Sequence, residues 1–279
     1  MRHETLYLKD HFPQLGQEER NPKLDLYLPD NLWEMSWQDK KRPCLLICPG
    51  GAYWGVSTRE SEPIAFHFLP EGFNVFVLTY SVLPHQFPTQ LREVAAAMEL
   101  IYENAEAWHC DTDKIAIMGF SAGGHLAAHY TNRFDCSQIR EMFPDSKAVN
   151  ASVLCYPVIT ADPDHCHRQS FINLAGAFPE TREEQDFYSC NKMVSQATPP
   201  TFLWHTASDQ AVPVNNSLLY AQALSANKIP FELHIYPYGR HGLSTADEQT
   251  NGQIPPEAAY VKDWLPAAKK WLKMTFQIT

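Results

Sequence analysis

The chain has 279 residues, of which 44% are hydrophobic and 19% charged, with a formal net charge of -10. That length is ample for a large α/β core. The acidity, without a clustered Lys/Arg face, argues against nucleic acid as a partner, and no apolar run reaches membrane-spanning length.

The N-terminus, Met1 to Thr5, enters an amphipathic segment and not the apolar stretch of a secretory signal, so a cytoplasmic location is expected. The cysteines (Cys44, Cys48, Cys110, Cys136, Cys155, Cys166, Cys190) are odd in number and scattered, as reduced core thiols are. Short apolar runs alternate with helical patterns, as a mostly parallel sheet covered by helices requires.

Thr5 to Leu8 and Leu24 to Leu28 read as early strands. The second alternates Leu24, Leu26 and Leu28 with Asp25 and Tyr27, the pattern of a half-exposed antiparallel edge strand. Pro29 to Arg42, with Trp33 and Trp37, reads as an irregular loop. Pro43 to Cys48 is a central strand that leads into Pro49-Gly50-Gly51-Ala52-Tyr53-Trp54-Gly55. Paired glycines there let a loop fold back and present N–H groups inward, which an oxyanion hole requires. An ordinary glycine turn has the same residues, and only position relative to the next motif separates the two.

A helix over Glu60 to Glu71 and a strand over Val75 to Tyr80 follow. Prolines at 84 and 88 forbid regular structure, and a long helix then runs from Thr89 to His109. Its apolar positions Leu91, Val94, Ala95, Met98, Ile101 and Tyr102 recur at three- and four-residue steps. Asp111 to Asp113 turns the chain into a short strand, Lys114 to Met118.

That strand meets Gly119-Phe120-Ser121-Ala122-Gly123-Gly124-His125, and a helical pattern begins at Leu126. G-x-S-x-G between strand and helix is the context of a nucleophile elbow. The serine sits on a strained turn, and Gly119 and Gly123 remove Cβ atoms that would clash there. The helix aims its first amides and positive dipole end at the site of a tetrahedral oxyanion.

Ala151 to Pro157 is the next strand. Ile159 to Pro200 has weak periodicity and reads as an inserted helical cap. Its Phe171, Leu174, Phe178, Phe187, Tyr188 and Met193 either shape a pocket or pack the cap to the body. Asp164-His165-Cys166-His167 has metal-ligand residue types, but adjacent loop residues seldom converge on one ion, so neither metal nor cofactor is expected. Thr201 to Thr206 and Phe231 to Pro237 are the last strands, with a helix from Val214 to Ala226 between them. A closing helix spans Pro256 to Met274.

A serine hydroxyl needs a base within reach, and the base needs an orienting carboxylate. Asp209 and His241 follow the last two strands, where loops gather at the carboxyl edge of a parallel sheet. Their order after Ser121 fits, whereas Asp247 and Glu248 come too late. His125 and His129 would have to fold back across the elbow and read as residues that pack the core or support the site from behind, and His205 lies within a strand.

From Leu24 to Trp271 the chain resembles the esterase/lipase branch of the α/β-hydrolase superfamily. It is similar to bacterial acetyl esterases, acetylxylan or feruloyl esterases and hormone-sensitive-lipase-like enzymes. Pro49-Gly50-Gly51-Ala52 stands where that branch has His-Gly-Gly-Gly, and Tyr80-Ser81-Val82-Leu83-Pro84 resembles its Tyr-Arg-Leu-Ala-Pro. The resemblance implies an α/β-hydrolase fold, a mostly parallel eight-stranded sheet flanked by helices with a small cap at about 159–200. It also implies Ser121, His241 and Asp209 as catalytic residues, and oxyanion donors at the amides of Gly51, Ala52 and Ala122. The substrate implied is a short-chain, acetyl-type ester. Amide or peptide hydrolysis, as by arylformamidases or oligopeptidases, and a non-catalytic binding module are the alternatives. A second copy of the chain is the one protein partner left open.

Overall fold

Eight strands form one sheet: β1 (Arg2–Tyr7), β2 (Lys23–Leu28), β3 (Arg42–Cys48), β4 (Asn74–Thr79), β5 (Cys110–Phe120), β6 (Ala151–Cys155), β7 (Thr201–Thr206) and β8 (Phe231–Tyr236). They lie in the order β1-β2-β4-β3-β5-β6-β7-β8. This is a computed structural model, and it describes residues 1–16, 22–35 and 38–278. The β1/β2 and β2/β4 pairs are antiparallel; every pair from β4/β3 to β7/β8 is parallel.

Alternation along the strands decides the layers. In β3, Leu46 and Cys48 join one buried cluster while Leu45 and Ile47 join the other. In β5, Ile115 and Ile117 go one way, and Ala116 and Met118 the other. Both faces are covered, which is why these strands read as unbroken apolar runs. The first face carries the helices Thr89–Glu103, Ser121–Arg133 and Asn215–Ala226 through residues such as Val94, Leu126 and Leu224. The second carries Glu62–Phe68 and Trp264–Phe276 through Ile64, Phe68, Trp264 and Trp271.

Several boundaries differ from the sequence reading. β2 is antiparallel as expected but lies between β1 and β4, so the edge is β1. β5 begins at Cys110, and the expected turn at Asp111 to Asp113 lies within the strand. The long helix stops at Glu103 with Asn104 as its C-cap, whose side chain donates back to the Leu100 carbonyl. The elbow helix starts at Ser121 itself, five residues before its apolar periodicity shows. Gly and Ser in its first turn hide the pattern, because the elbow and not an apolar stripe fixes its start. Trp33 opens a short 3-10 turn, Trp33–Met35, within the expected loop; Trp37 falls outside the described residues.

Between β6 and β7, segment 159–200 carries two helices, Arg168–Ala175 and Arg182–Tyr188, and the 3-10 turn Cys190–Lys192. Phe171, Leu174, Phe178 and Met193 are buried, and Phe171 meets the His125 ring edge-on at 5.3 Å, so this set packs the segment to the body. Phe187 is exposed. A cavity of about 350 Å³ lined by Phe178, Phe187 and Tyr188 touches none of Ser121, Asp209 and His241.

Candidate active site

Parallel strands end on a common edge, and their following loops gather there. Ser121 follows β5 directly, Asp209 lies three residues past β7 and His241 five past β8. Ser121 has φ +52°, the left-handed region a non-glycine residue enters only when its surroundings impose it. The glycines make that turn possible. A Cβ on Gly123 would stand 2.1 Å from the Cys48 carbonyl oxygen, and one on Gly119 would stand 2.2 Å from that of Gly123.

The three side chains meet. His241 Nε2 lies 2.7 Å from Ser121 Oγ, and His241 Nδ1 lies 2.6 Å from Asp209 Oδ2. An ionised carboxylate only accepts, so Nδ1 carries the proton and Nε2 is free to accept from the serine hydroxyl. The other carboxylate oxygen, Asp209 Oδ1, accepts from the amides of Ala211 and Val212 at 2.9 and 3.0 Å. Burial pushes the Asp209 carboxyl up. The hydrogen bonds of His205, His241 and the Val212 amide outweigh burial and hold it well below the usual carboxylate range.

His205, the strand histidine, is engaged on both ring nitrogens, yet it touches the site. Its Nε2 contacts the Val212 carbonyl at 3.0 Å and lies 3.4 Å from Asp209 Oδ2, while Nδ1 meets Ser217 Oγ at 2.8 Å. Its signal was only the spacing of four to Asp209.

The loop after β3 is pinned through its carbonyls. Pro49 O accepts from the Tyr80 hydroxyl at 2.6 Å, and Gly50 O from the Ser57 amide at 2.8 Å. Gly51 O accepts from the amides of Trp54 and Gly55, each at 3.0 Å. Ala52 O accepts from Asn173 Nδ2 at 2.7 Å, and Tyr53 O from the Leu83 amide at 2.9 Å. In a trans peptide the N–H points opposite the C=O before it. Fixing the carbonyls of Gly50 and Gly51 therefore fixes the N–H groups of Gly51 and Ala52. Neither of those amides donates to any group among the described residues, whereas the Gly50 amide is committed to Glu60 Oε2 at 2.8 Å. Ala52 and Tyr53 both have positive φ, 54° and 58°, and the pinned carbonyls hold them there. Ala122 is buried in the first turn of the elbow helix, where amides lack intrahelical acceptors.

His125 and His129 pack, as their position suggested. His125 Nε2 meets the Tyr188 carbonyl at 2.8 Å, so that nitrogen is the donor, and Nδ1 accepts from the Tyr53 hydroxyl at 2.8 Å. Burial pulls this imidazole down to about 4, which keeps it neutral. His125, His129 and Cys190 bring possible ligand atoms within 4.8 Å of one another. Both His125 nitrogens are already engaged by protein, so binding an ion there would break those bonds. His165 and His167 do not join that group; His167 Nδ1 meets Ser170 Oγ at 2.8 Å.

A mostly parallel sheet with a left-handed serine at the strand–helix corner defines an esterase-like α/β hydrolase. The chain belongs to the BD-FAE family, whose model matches residues 24–224. It is 37% identical over 233 residues to endo-1,4-beta-xylanase B of Butyrivibrio fibrisolvens, covering 80% of this chain and 36% of that protein. It is 32% identical over 200 residues to the acetylxylan esterase of Xylanibacter ruminicola, covering 70% of this chain and 40% of the relative. The chain thus spans less than half the length of these two curated relatives. The crystal structure of an acetyl ester-xyloside bifunctional hydrolase from Caldicellulosiruptor lactoaceticus superposes with a TM-score of 0.85 at 35% identity, covering 100% of this chain and 98% of that one. Among the described residues no helix is long and apolar enough to cross a membrane.

Proposed function

We propose that this chain is a serine carboxylic ester hydrolase that removes short acyl groups, acetyl above all, through an acyl-enzyme. The observation that carries the reading is the unbroken hydrogen-bonded line from Ser121 Oγ through His241 to Asp209, at 2.7 and 2.6 Å. Ser121 Oγ attacks the ester carbonyl carbon while His241 Nε2 takes the hydroxyl proton, and Asp209 holds the ring and the imidazolium it becomes. The amides of Gly51, Ala52 and Ala122 meet the oxyanion. Collapse expels the alcohol, which takes its proton from His241. Water then attacks the acyl-serine by the same route, releasing the carboxylate and restoring Ser121.

An acetylated carbohydrate is the substrate class we assign, on the strength of the acetylxylan esterase and the acetyl ester-xyloside hydrolase that this chain resembles. Segment 159–200 acts in this reading as a cap over the strand ends, supported by its bonds through Asn173 and Tyr188. The proposal includes a cytoplasmic location and a homodimer, tested by cell fractionation and by light scattering.

A substrate panel decides the reaction. Acetate should be the best p-nitrophenyl ester in an acyl-length series, acetylated xylo-oligosaccharides should be turned over, and a fluorophosphonate should label Ser121. Preference for formamides or dipeptide amides would make the chain an amidase. No turnover and no labelling would leave a binding module.

A further inference from the structure

Glu60 is a buried carboxylate that the reaction above does not use, 3% exposed, at the end of the 3-10 turn Thr58–Glu60. Among the described residues no lysine or arginine pairs with it within salt-bridge distance. A charge is left in such a place only when hydrogen bonds satisfy it. Both oxygens are satisfied, and each partner belongs to the site.

Glu60 Oε2 accepts from the Gly50 amide at 2.8 Å. Gly50 lies against the nucleophile: a Cβ there would stand 2.7 Å from Glu60 Oε2, 2.8 Å from the Phe120 carbonyl oxygen and 3.0 Å from Ser121 Cβ. Glu60 Oε1 accepts from the Tyr156 hydroxyl at 2.6 Å. That hydroxyl accepts in turn from the Ser244 amide at 3.0 Å, three residues past His241. The Tyr156 ring stands edge-on to the His241 imidazole, centroids 5.1 Å apart at 73°. One carboxylate therefore joins the loop before the proposed oxyanion donors to the loop that carries the proposed base. Burial, and then Glu60 itself, push the Tyr156 phenol far above its ordinary value, so it stays a donor.

From this geometry, and resting on the proposed esterase reaction, we infer that Glu60 is a positioning residue. It sets the spacing between the oxyanion loop and His241 by accepting from Gly50 on one side and Tyr156 on the other. It touches no reacting atom. Its work is felt where a small displacement of preorganised donors costs rate and not ground-state binding.

The test compares Glu60→Ala, Glu60→Asp and Glu60→Gln, with active sites counted by fluorophosphonate titration. Glu60→Ala should lower kcat for p-nitrophenyl acetate about tenfold to a hundredfold, with KM within about threefold of wild type. A boronic acid that forms a tetrahedral serine adduct should lose affinity by the same factor. Glu60→Gln keeps an acceptor for Gly50 and should restore kcat to within about threefold, though with a lower Tm because the Tyr156 proton is orphaned. Glu60→Asp withdraws the oxygens and should behave like the alanine variant; it carries the test if Glu60→Ala does not fold. The inference falls if either shortened variant titrates fully and keeps wild-type kcat, if the loss lies in KM alone, or if Gln is no better than the shortened variants. Ser121→Ala runs alongside: activity surviving there would overturn the esterase reading itself, a separate failure.

Discussion

The Asn173 amide reaches the Ala52 carbonyl across 121 positions of chain, with Nδ2 2.7 Å from the oxygen. Gln169 Nε2 holds the other end of that amide, donating to Asn173 Oδ1 at 2.8 Å. Ala52 is thereby kept in the left-handed region by a residue of segment 159–200. Asn173→Ala should lower kcat about tenfold with KM little changed, because the loop loses one of its pins. Asn173→Asp should cost more, since it sets a carboxylate against a carbonyl. Steady-state kinetics on p-nitrophenyl acetate checks both.

Ser121→Ala should abolish ester turnover and fluorophosphonate labelling, a loss of about 10⁴-fold or more in kcat. Asp209→Asn keeps the shape but offers an amide to His241 Nδ1 and favours the wrong tautomer. A fall in kcat of about 10⁴-fold is expected, measured by the burst and steady-state rates.

The depressed Asp209 carboxyl has a signed consequence. In the folded chain it releases its proton more readily than an unfolded aspartate, whose value is about 4. The stability it contributes is complete above that unfolded value and is lost as pH falls through the folded one. The kcat/KM profile should therefore show no Asp209 limb above pH about 5, and the acid limb should belong to another group. An NMR titration in which the Asp209 carboxyl takes up its proton at or above pH about 4 would contradict this.

Trp264 is fully buried, stacked on Trp204 at 5.1 Å, and donates its indole N–H to the Ser244 carbonyl at 2.9 Å. Trp264→Ala should cost about 3–5 kcal/mol in urea unfolding, from the lost ring and the cavity left behind.

What was legible follows from what each feature depends on. The sequence marks β7 over its actual span, Thr201–Thr206, because a strand covered on both faces carries apolar residues such as Phe202, Leu203 and Trp204 in succession. The meeting of Ser121, Asp209 and His241 is legible because a serine hydrolase would demand those residue types after those strands. Glu60, Asn173 and Tyr156 are not. Glu60 and Asn173 bond to the loop at 50–52, and polar residues in a turn or a weakly periodic segment look like solvated surface; Tyr156 reads only as the end of an apolar strand. The helix from Ser121 shows its pattern only from Leu126 for a related reason: its first turn is dictated by the corner, so it lacks an apolar stripe.

The pinned carbonyls of 49–53 also bear on how the molecule meets heat. Trp54, Gly55 and Ser57 close the loop on itself, while Tyr80, Leu83 and Asn173 hold the carbonyls of Pro49, Tyr53 and Ala52 from separate parts of the chain. This loop has no independent way to melt, because releasing it means breaking contacts that the whole body makes. Thermal inactivation should then coincide with the calorimetric transition instead of preceding it, as it does where a mobile lid fails first.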